Sequence, residues 1–138
     1  MSRGTRELPS KVVSKMSPIL PGATIGMVGG GQLGRMFAMA ASAMGYRVVV
    51  FCENEDEPAA QVAHACVIGR LDDQTIVTKF AQQCDVITLE FENIPANTIA
   101  RCGEFAPTFP AASVLATAQD RVVEKTTLRD AGLPVTPM

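Results

Sequence analysis

The sequence is poor in the side chains that build metal centres and disulfide frameworks. Its 138 residues include one histidine, His64, and four cysteines, none of which form a C-x-x-C pair. No ligand spacing of a zinc site surrounds these residues. The cysteines lie in apolar neighbourhoods, and the chain can fill a core without disulfides. We therefore expect no metal site and four reduced cysteines packed in the core: Cys52, Cys66, Cys84 and Cys102.

Strong charge and long apolar runs are also absent. A net charge of −2 and a pI near 5.3 give no electrostatic reason to expect a nucleic acid or an anionic membrane as a partner. No apolar run approaches the roughly 20 residues that span a bilayer. The N-terminus lacks the apolar segment of a secretory signal. We therefore expect a cytoplasmic protein.

The composition is that of one globular domain preceded by an extension. Hydrophobic residues make up 47% of the sequence and charged residues 19%, which is typical of a folded protein. Residues 1–21 combine Ser and Pro with four cations and a single acid, Glu7. This stretch is predicted to be a flexible N-terminal extension, with an organelle transit peptide as the alternative.

From residue 22 onward, short apolar runs alternate with stretches of helical periodicity. Continuous β-branched runs are typical of strands that are buried on both faces of a parallel sheet. The alternation predicts an α/β fold over residues 22–118, a Rossmann-like parallel sheet with helices on both faces. The predicted strands are Thr24–Val28, Val48–Phe51, Cys66–Gly69, Asp85–Leu89 and a short one at Phe105–Phe109.

The helical stretches have apolar faces and end signals. The first helix is expected to pack through one apolar face, and its methionines Met36, Met39 and Met44 are expected in the core. A short helix is predicted at Ala59–Ala65, and another from Pro95 to Gly103. Asp73, Ser113 and Asp120 are predicted to cap three more, the last of which is a linker helix within residues 119–138. The expected face of the first helix consists of Leu33, Met36, Phe37, Ala40 and Met44.

A glycine-rich turn joins the first strand to this helix. The spacing Gly29-x-Gly31-x-x-Gly34 places backbone N–H groups at a helix N-terminus, where they attract an anion. The spacing also matches the fingerprint of dinucleotide-binding folds, and Glu53 could bond a cofactor ribose. The loop alone therefore leaves two ligands open, a nicotinamide or flavin cofactor and another phosphorylated molecule.

Two carboxylates follow the strand that ends at Leu89. Glu90 and Glu92 flank Phe91 at the sheet edge where ligands of parallel sheets collect. Two carboxylates are poorly placed beside a pyrophosphate, but they suit a ligand with amino groups or a cationic ring. The alternative is an acidic turn before the Pro95 helix.

Several blocks of the sequence, in order, resemble one family. They are Ile25–Met36, Pro58–Ala63, Cys84–Pro95 and Ala118–Arg121 followed by Glu124-Lys125. Together they resemble the N(5)-carboxyaminoimidazole ribonucleotide synthetases, which belong to the ATP-grasp ligases. The resemblance runs from about Ala23 to the last residue, and its combination of blocks is far more specific than the glycine loop alone.

The resemblance implies a preATP-grasp domain at the N-terminus of a larger ligase. Such ligases use ATP and Mg²⁺ to make carboxyphosphate from bicarbonate and carboxylate 5-aminoimidazole ribonucleotide in purine biosynthesis. The Mg²⁺ ligands and most of the ATP pocket are expected outside this chain, so the chain alone is expected to be inactive. The full-length enzyme is expected to be a homodimer. A nicotinamide- or flavin-binding domain of an oxidoreductase is the alternative.

The resemblance also implies roles for individual residues. Gly30, Gly31, Gln32 and Leu33 are expected to hold the phosphate and ribose of the ribonucleotide. Glu90 and Glu92 are the expected catalytic residues, acting on the substrate amine or positioning bicarbonate. Arg121 is expected to reach the ATP phosphates. Glu53 is expected to bind the ribonucleotide at its ribose, in place of the acid that many relatives carry at or beside the position of Cys52. Three further residues are expected on the surface: Arg35 (with a phosphate contact as its alternative), His64 and Lys125.

Overall fold

A computed structural model describes residues 17–137. Within that part of the chain, four strands and five helices make an α/β fold, as predicted. All strand pairs are parallel, in the order β3-β2-β1-β4. No helix among the described residues is long and apolar enough to cross a bilayer. The elements are β1 (Thr24–Val28), α1 (Gln32–Ala43), β2 (Arg47–Cys52), β3 (Ala65–Ile68), α2 (Gln74–Ala81), β4 (Val86–Leu89), α3 (Ala96–Cys102), α4 (Ala112–Gln119) and α5 (Arg121–Asp130).

The core lies on both faces of the sheet because side chains alternate along each strand. On one face, Val48 and Val50 of β2 pack with Ala38 of α1. On the other face, the ring of Phe51 lies 5.3 Å from that of Phe80 of α2, and residues of α3 and α4 complete the cluster. The prediction of helices on both faces is therefore confirmed.

The strand order creates a switch point between β1 and β4. The chain runs outward from β1 to β2 and β3, then crosses back to place β4 on the other side of β1. The carboxyl ends of β1 and β4 therefore lie side by side, in the register that pairs Val28 with Leu89. Ligands of open parallel sheets bind at such points. The glycine loop follows β1 there, and Glu90 follows β4.

Three predicted elements differ in the structure. The segment predicted as a helix at Ala59–Ala65 instead forms turns and bends up to His64, where β3 follows, and the Ala59 N–H donates to the Gly30 carbonyl at 2.8 Å. Phe105–Phe109 forms only an isolated bridge between Thr108 and Ile87, because the neighbouring prolines at 107 and 110 have no N–H to extend a ladder. The helix α4 is capped at Ala111, so Ser113 lies inside its first turn.

The apolar face predicted for the first helix is largely exposed. Met36 and Met44 are 58% and 66% exposed, and Leu33 and Met39 are similarly open to solvent. The residues of α1 that are buried against the sheet are small: Gly34, Ala38 and Ala41. The expectation of methionines in the core is therefore wrong, because the face of α1 that packs on the sheet is offset by one residue, about 100° around the helix, from the predicted face.

All four cysteines are free thiols, and three of them lie in the core. Burial raises the pKa of Cys52, Cys84 and Cys102 to about 12. Cys66 is exposed, contrary to expectation, because it lies on β3 at the edge of the sheet.

Candidate ligand site at the edge between β1 and β4

The side chain of Glu90 lies on the glycine loop. Its carboxylate accepts hydrogen bonds from the backbone N–H of Gly31 at 2.9 Å and from that of Gly34 at 2.7 Å. The backbone N–H of Glu90 donates to the Val28 carbonyl at 3.2 Å, which extends the pairing of β4 with β1. The anion-attracting N-terminus of α1 is thus met by a carboxylate of the chain itself.

Glycine at positions 31 and 34 makes this contact possible. A Cβ atom at Gly31 would collide with one carboxylate oxygen of Glu90, and a Cβ atom at Gly34 would collide with the other. At Gly34 the added atom would also lie 3.1 Å from the Gly29 carbonyl oxygen. The spacing of these two glycines therefore fits the approach of Glu90 as well as the packing of α1.

The first turn of α1 keeps further donors. Within the part of the chain that the structure describes, the backbone N–H groups of Gln32 and Leu33 meet no hydrogen-bond partner. Both residues are exposed. Gly30 is buried against the side chains of Cys52 and Glu57. The structure therefore brings the predicted loop residues and Glu90 together, with two N–H groups available to a ligand.

The other predicted acids border this edge and are exposed. Glu53 follows β2, and Glu92 lies two residues after Glu90. An acid that sequence reasoning missed holds the loop after β2, because the Glu57 carboxylate accepts from the N–H groups of Glu53 and Asn54, each at 2.9 Å. The sequence does carry a signal for this contact. Glu57 follows Glu53 and Asn54 by four and three residues, and at that spacing a carboxylate can reach back to cap the N–H groups of a turn.

Arg35 is bonded to the segment after β2. Its Nη1 donates to the side-chain oxygen of Gln61 at 2.9 Å and to the Pro58 carbonyl at 3.4 Å. Arg35 therefore braces the neighbouring turns, and the alternative of a phosphate contact stays a prediction. His64 is exposed, as expected, and its Nδ1 accepts from the Val48 N–H at 3.1 Å.

Arg121 lies at the start of α5, whose N-terminus is capped by Asp120. The guanidinium is exposed, and its nearest acid is Glu124 at 3.7 Å. Gln119, just before the cap, reaches across to the loop after β4 through its side-chain amide. Among the described residues, Arg121 forms no hydrogen bond or ion pair with Glu90 or with the glycine loop.

Lys125 is buried, which corrects the expectation of a solvated charge. Its Nζ donates to the carbonyl and hydroxyl oxygens of Thr136, at 3.0 and 2.9 Å, and to the Pro137 carbonyl at 3.2 Å. The acceptors lie eleven and twelve residues later in a segment without regular structure. No local pattern in the sequence marks such a contact.

Among residues 17–137, no group of three or more His, Cys, Asp or Glu side chains is placed to hold a metal ion. The acids at this edge are instead distributed between the glycine loop and the turn after β2. The site as described is a set of backbone donors and carboxylates, suited to a polar organic ligand.

Comparison with known proteins gives a consistent result. Residues 22–119 match the model of the ribonucleotide synthetase preATP-grasp domain. The chain is 42% identical over 117 residues to the N5-carboxyaminoimidazole ribonucleotide synthase of Brucella melitensis, covering 85% of this chain and 32% of that protein.

Two solved structures share the fold. The N5-carboxyaminoimidazole synthetase of Staphylococcus aureus complexed with ADP is 44% identical with a TM-score of 0.80, over 86% of this chain and 32% of that one. The Aspergillus clavatus N5-carboxyaminoimidazole synthase in complex with ADP and 5-aminoimidazole ribonucleotide is 28% identical with a TM-score of 0.76, over 83% and 31%. The chain thus spans about a third of the length of the relatives that it matches.

The family model covers more than half of the chain, and its bounds coincide with the sheet and the helices that pack on it. The chain therefore belongs to the family of ribonucleotide synthetase preATP-grasp domains.

Proposed function

We propose that this chain is the ribonucleotide-binding N-terminal domain of an ATP-dependent ligase that carboxylates 5-aminoimidazole ribonucleotide. The relatives' names support the reaction, and the complex of the Aspergillus clavatus protein supports the substrate. Because the chain spans about a third of these relatives, the complete activity is proposed for a larger protein. The observation that carries the proposal is the Glu90 carboxylate on the glycine loop at the switch point.

The Glu90 carboxylate can accept hydrogen bonds from a substrate while it stays bonded to the glycine loop. Each oxygen of Glu90 accepts one backbone N–H, and a carboxylate has about four lone-pair sites, so acceptor capacity remains. We propose that Glu90 accepts from the amine or hydroxyl groups of the ribonucleotide. The N–H groups of Gln32 and Leu33 would hold its phosphate and ribose oxygens, and Gly30 and Gly31, which have no side chains, would let the ligand approach the backbone. Glu53 and Glu92 would complete the acidic rim.

The same geometry argues against a dinucleotide cofactor. A pyrophosphate needs donors for two phosphate groups, but Glu90 already engages the N–H groups of Gly31 and Gly34. The two donors left in the first turn of α1 suit the single phosphate of a ribonucleotide, and the Glu90 carboxylate suits its amino or hydroxyl groups. The ligase is therefore favoured over the nicotinamide- or flavin-dependent alternative.

The roles of Arg121, ATP, Mg²⁺ and bicarbonate are proposed from the family to which the chain belongs. Arg121 is exposed at the start of α5, and a guanidinium suits bidentate contact with the ATP phosphates. ATP with Mg²⁺ and bicarbonate would be held largely by domains outside this chain, in a cytoplasmic homodimeric enzyme. ATP supplies the activated phosphoryl group when it is bound. The residues described here would bind and orient the ribonucleotide.

Titration calorimetry of the 138-residue chain tests the proposal. We expect saturable binding of 5-aminoimidazole ribonucleotide and none of NADH, NADPH or FMN over the same concentration range. Micromolar binding of a nicotinamide or flavin nucleotide, with no binding of the ribonucleotide, would identify the chain as the oxidoreductase domain instead.

A further inference from the structure

Gln119 connects two parts of the molecule that are far apart in sequence. Its side-chain Nε2 donates hydrogen bonds to the backbone carbonyls of Glu92, at 2.8 Å, and of Ile94. Gln119 is the last residue of α4. Both carbonyls belong to the acidic loop, defined here as residues 90–94 between β4 and α3. The bonds therefore tie the end of a helix to the loop that carries Glu90.

These two bonds restrain the half of the acidic loop that the sheet does not hold. Glu90 is bonded to Val28 and to the glycine loop. Among the described residues, no other hydrogen bond reaches residues 91–94. Phe91 and Ile94 pack against the hydrophobic core, whereas Glu92 and Asn93 are exposed and are not fixed by packing. The Gln119 amide is accordingly the polar restraint on this segment.

Gln119 also lies at the joint of two helices. The helix α4 ends at Gln119 and α5 begins at Arg121, so only Asp120 separates them. Asp120 has extended backbone angles, φ −110° and ψ 115°, and its side chain caps α5. A change in the direction of α5 at this residue would therefore shift the Gln119 amide or break its bonds.

We propose that Gln119 is a positioning residue for the ribonucleotide site. Through the carbonyls of Glu92 and Ile94 it fixes the acidic loop, and through the loop it fixes the placement of Glu90 on the glycine loop. A change in the direction of α5, which carries Arg121, would therefore change the position of Glu90 in the ribonucleotide site. The identity of the ligand as a ribonucleotide rests on the proposed function. The restraint on the acidic loop does not depend on it.

The substitution Gln119→Glu tests this role in the ¹⁵N-labelled 138-residue chain. It keeps the side-chain size but replaces the donating amide by a carboxylate, which the two carbonyls repel. Gln82→Glu is the matched control, because Gln82 is an exposed residue at the end of α2 and its side chain bonds to none of the described residues. Gln119→Asn, which shortens the side chain without adding charge, serves if the first variant fails to fold.

We expect Gln119→Glu to lower the heteronuclear NOE of Glu92 and Asn93 and to shift the amide signals of Gly31 and Gly34. The dissociation constant for 5-aminoimidazole ribonucleotide should rise about fivefold, which corresponds to about 1 kcal/mol. Gln82→Glu should change none of these. Unchanged NOE values at Glu92 and Asn93 would overturn the restraint, and unmoved Gly31 and Gly34 signals would overturn the positioning of Glu90. If the wild-type chain does not bind the ribonucleotide, the proposed function fails, and the NMR comparison still decides the role of Gln119.

Discussion

At the scale of single residues, Glu90 determines how the glycine loop can be used. A Gly-rich turn at a helix N-terminus is ordinarily an anion site because its N–H groups are unpaired. Here two of those groups donate to Glu90, which makes the loop an anchor for a carboxylate. The negative charge also interacts favourably with the N-terminus of α1. The loop thus presents an acceptor, Glu90, beside the two donors that remain at Gln32 and Leu33.

The substitution Glu90→Gln is expected to lower the free energy of unfolding by about 1–2 kcal/mol. A glutamine keeps one acceptor oxygen but turns its NH₂ group toward the second backbone N–H, so one hydrogen bond is lost in a partly buried place. Urea denaturation of both proteins measures the difference. Glu92→Gln is the control, since its exposed side chain should cost less than about 0.5 kcal/mol. Equal losses in the two variants would contradict the anchoring of Glu90.

The four thiols are expected to differ sharply in reactivity. The thiolate is the reacting form, and burial raises the pKa of Cys52, Cys84 and Cys102 to about 12, so thiolate is scarce at these positions at pH 8. Burial also raises the pKa of Cys66, but its side chain is accessible. An Ellman assay on the native chain should therefore show one fast thiol. Cys66→Ser should abolish that phase and Cys102→Ser should retain it, whereas a second fast thiol in the native chain would contradict the burial.

At the scale of elements, the pattern of apolar residues predicted the positions of the strands well, but it predicted poorly which side chains of a helix pack on the sheet. Buried β-branched runs identify parallel strands directly, and β1, β2 and β4 were predicted within one or two residues. In α1 the longest apolar side chains are exposed, and the sheet is covered by Ala38 and Ala41. The face that packs on the sheet is the one formed by these small residues, and hydrophobicity alone did not distinguish it from the neighbouring face of longer apolar side chains.

The helix α5 is joined to the segment after it by a contact that no local sequence pattern predicts. Lys125 is buried, and its ammonium is bonded to Thr136 and Pro137 beyond the helix end. We expect Lys125→Met, which keeps the apolar stem, to lower the free energy of unfolding by about 1–2 kcal/mol.

Urea denaturation measures this loss, with Lys79→Met as the control. Lys79 is an exposed residue in the last turn of α2, so its replacement should change stability by less than about 0.5 kcal/mol. A loss of the same size at both positions would show that the bonds to the segment after α5 add nothing.

At the scale of the whole molecule, the strand order makes the site. The return of the chain from β3 to β4 places the glycine loop beside Glu90, although 56 to 59 residues separate the bonded groups. The sequence allowed the prediction that these stretches meet, because parallel strands align their carboxyl ends. The sequence could not predict that the Glu90 carboxylate accepts hydrogen bonds from the N–H groups of Gly31 and Gly34, because these bonds depend on the direction of the Glu90 side chain in the folded chain.

The isolated chain is expected to show no hydrolysis of ATP dependent on 5-aminoimidazole ribonucleotide. Phosphoryl transfer needs metal ions and several positive groups around the reacting phosphate, and the predicted ATP contact here is the single guanidinium of Arg121. A coupled assay for ADP release measures the rate with and without the ribonucleotide. A rate above background that the ribonucleotide stimulates would place the catalytic machinery within these residues.

Mapping of amide chemical shifts during titration with 5-aminoimidazole ribonucleotide tests the central claim most directly. The claim is that the ligand binds at the switch point between β1 and β4, where Glu90 lies on the glycine loop. We predict that the largest shifts occur at residues 31–34 and at Glu90, with α2 and the exposed face of α1 around Met44 unaffected. The largest shifts at Met44 or in α2, or saturation without change at Gly31 and Glu90, would contradict the account.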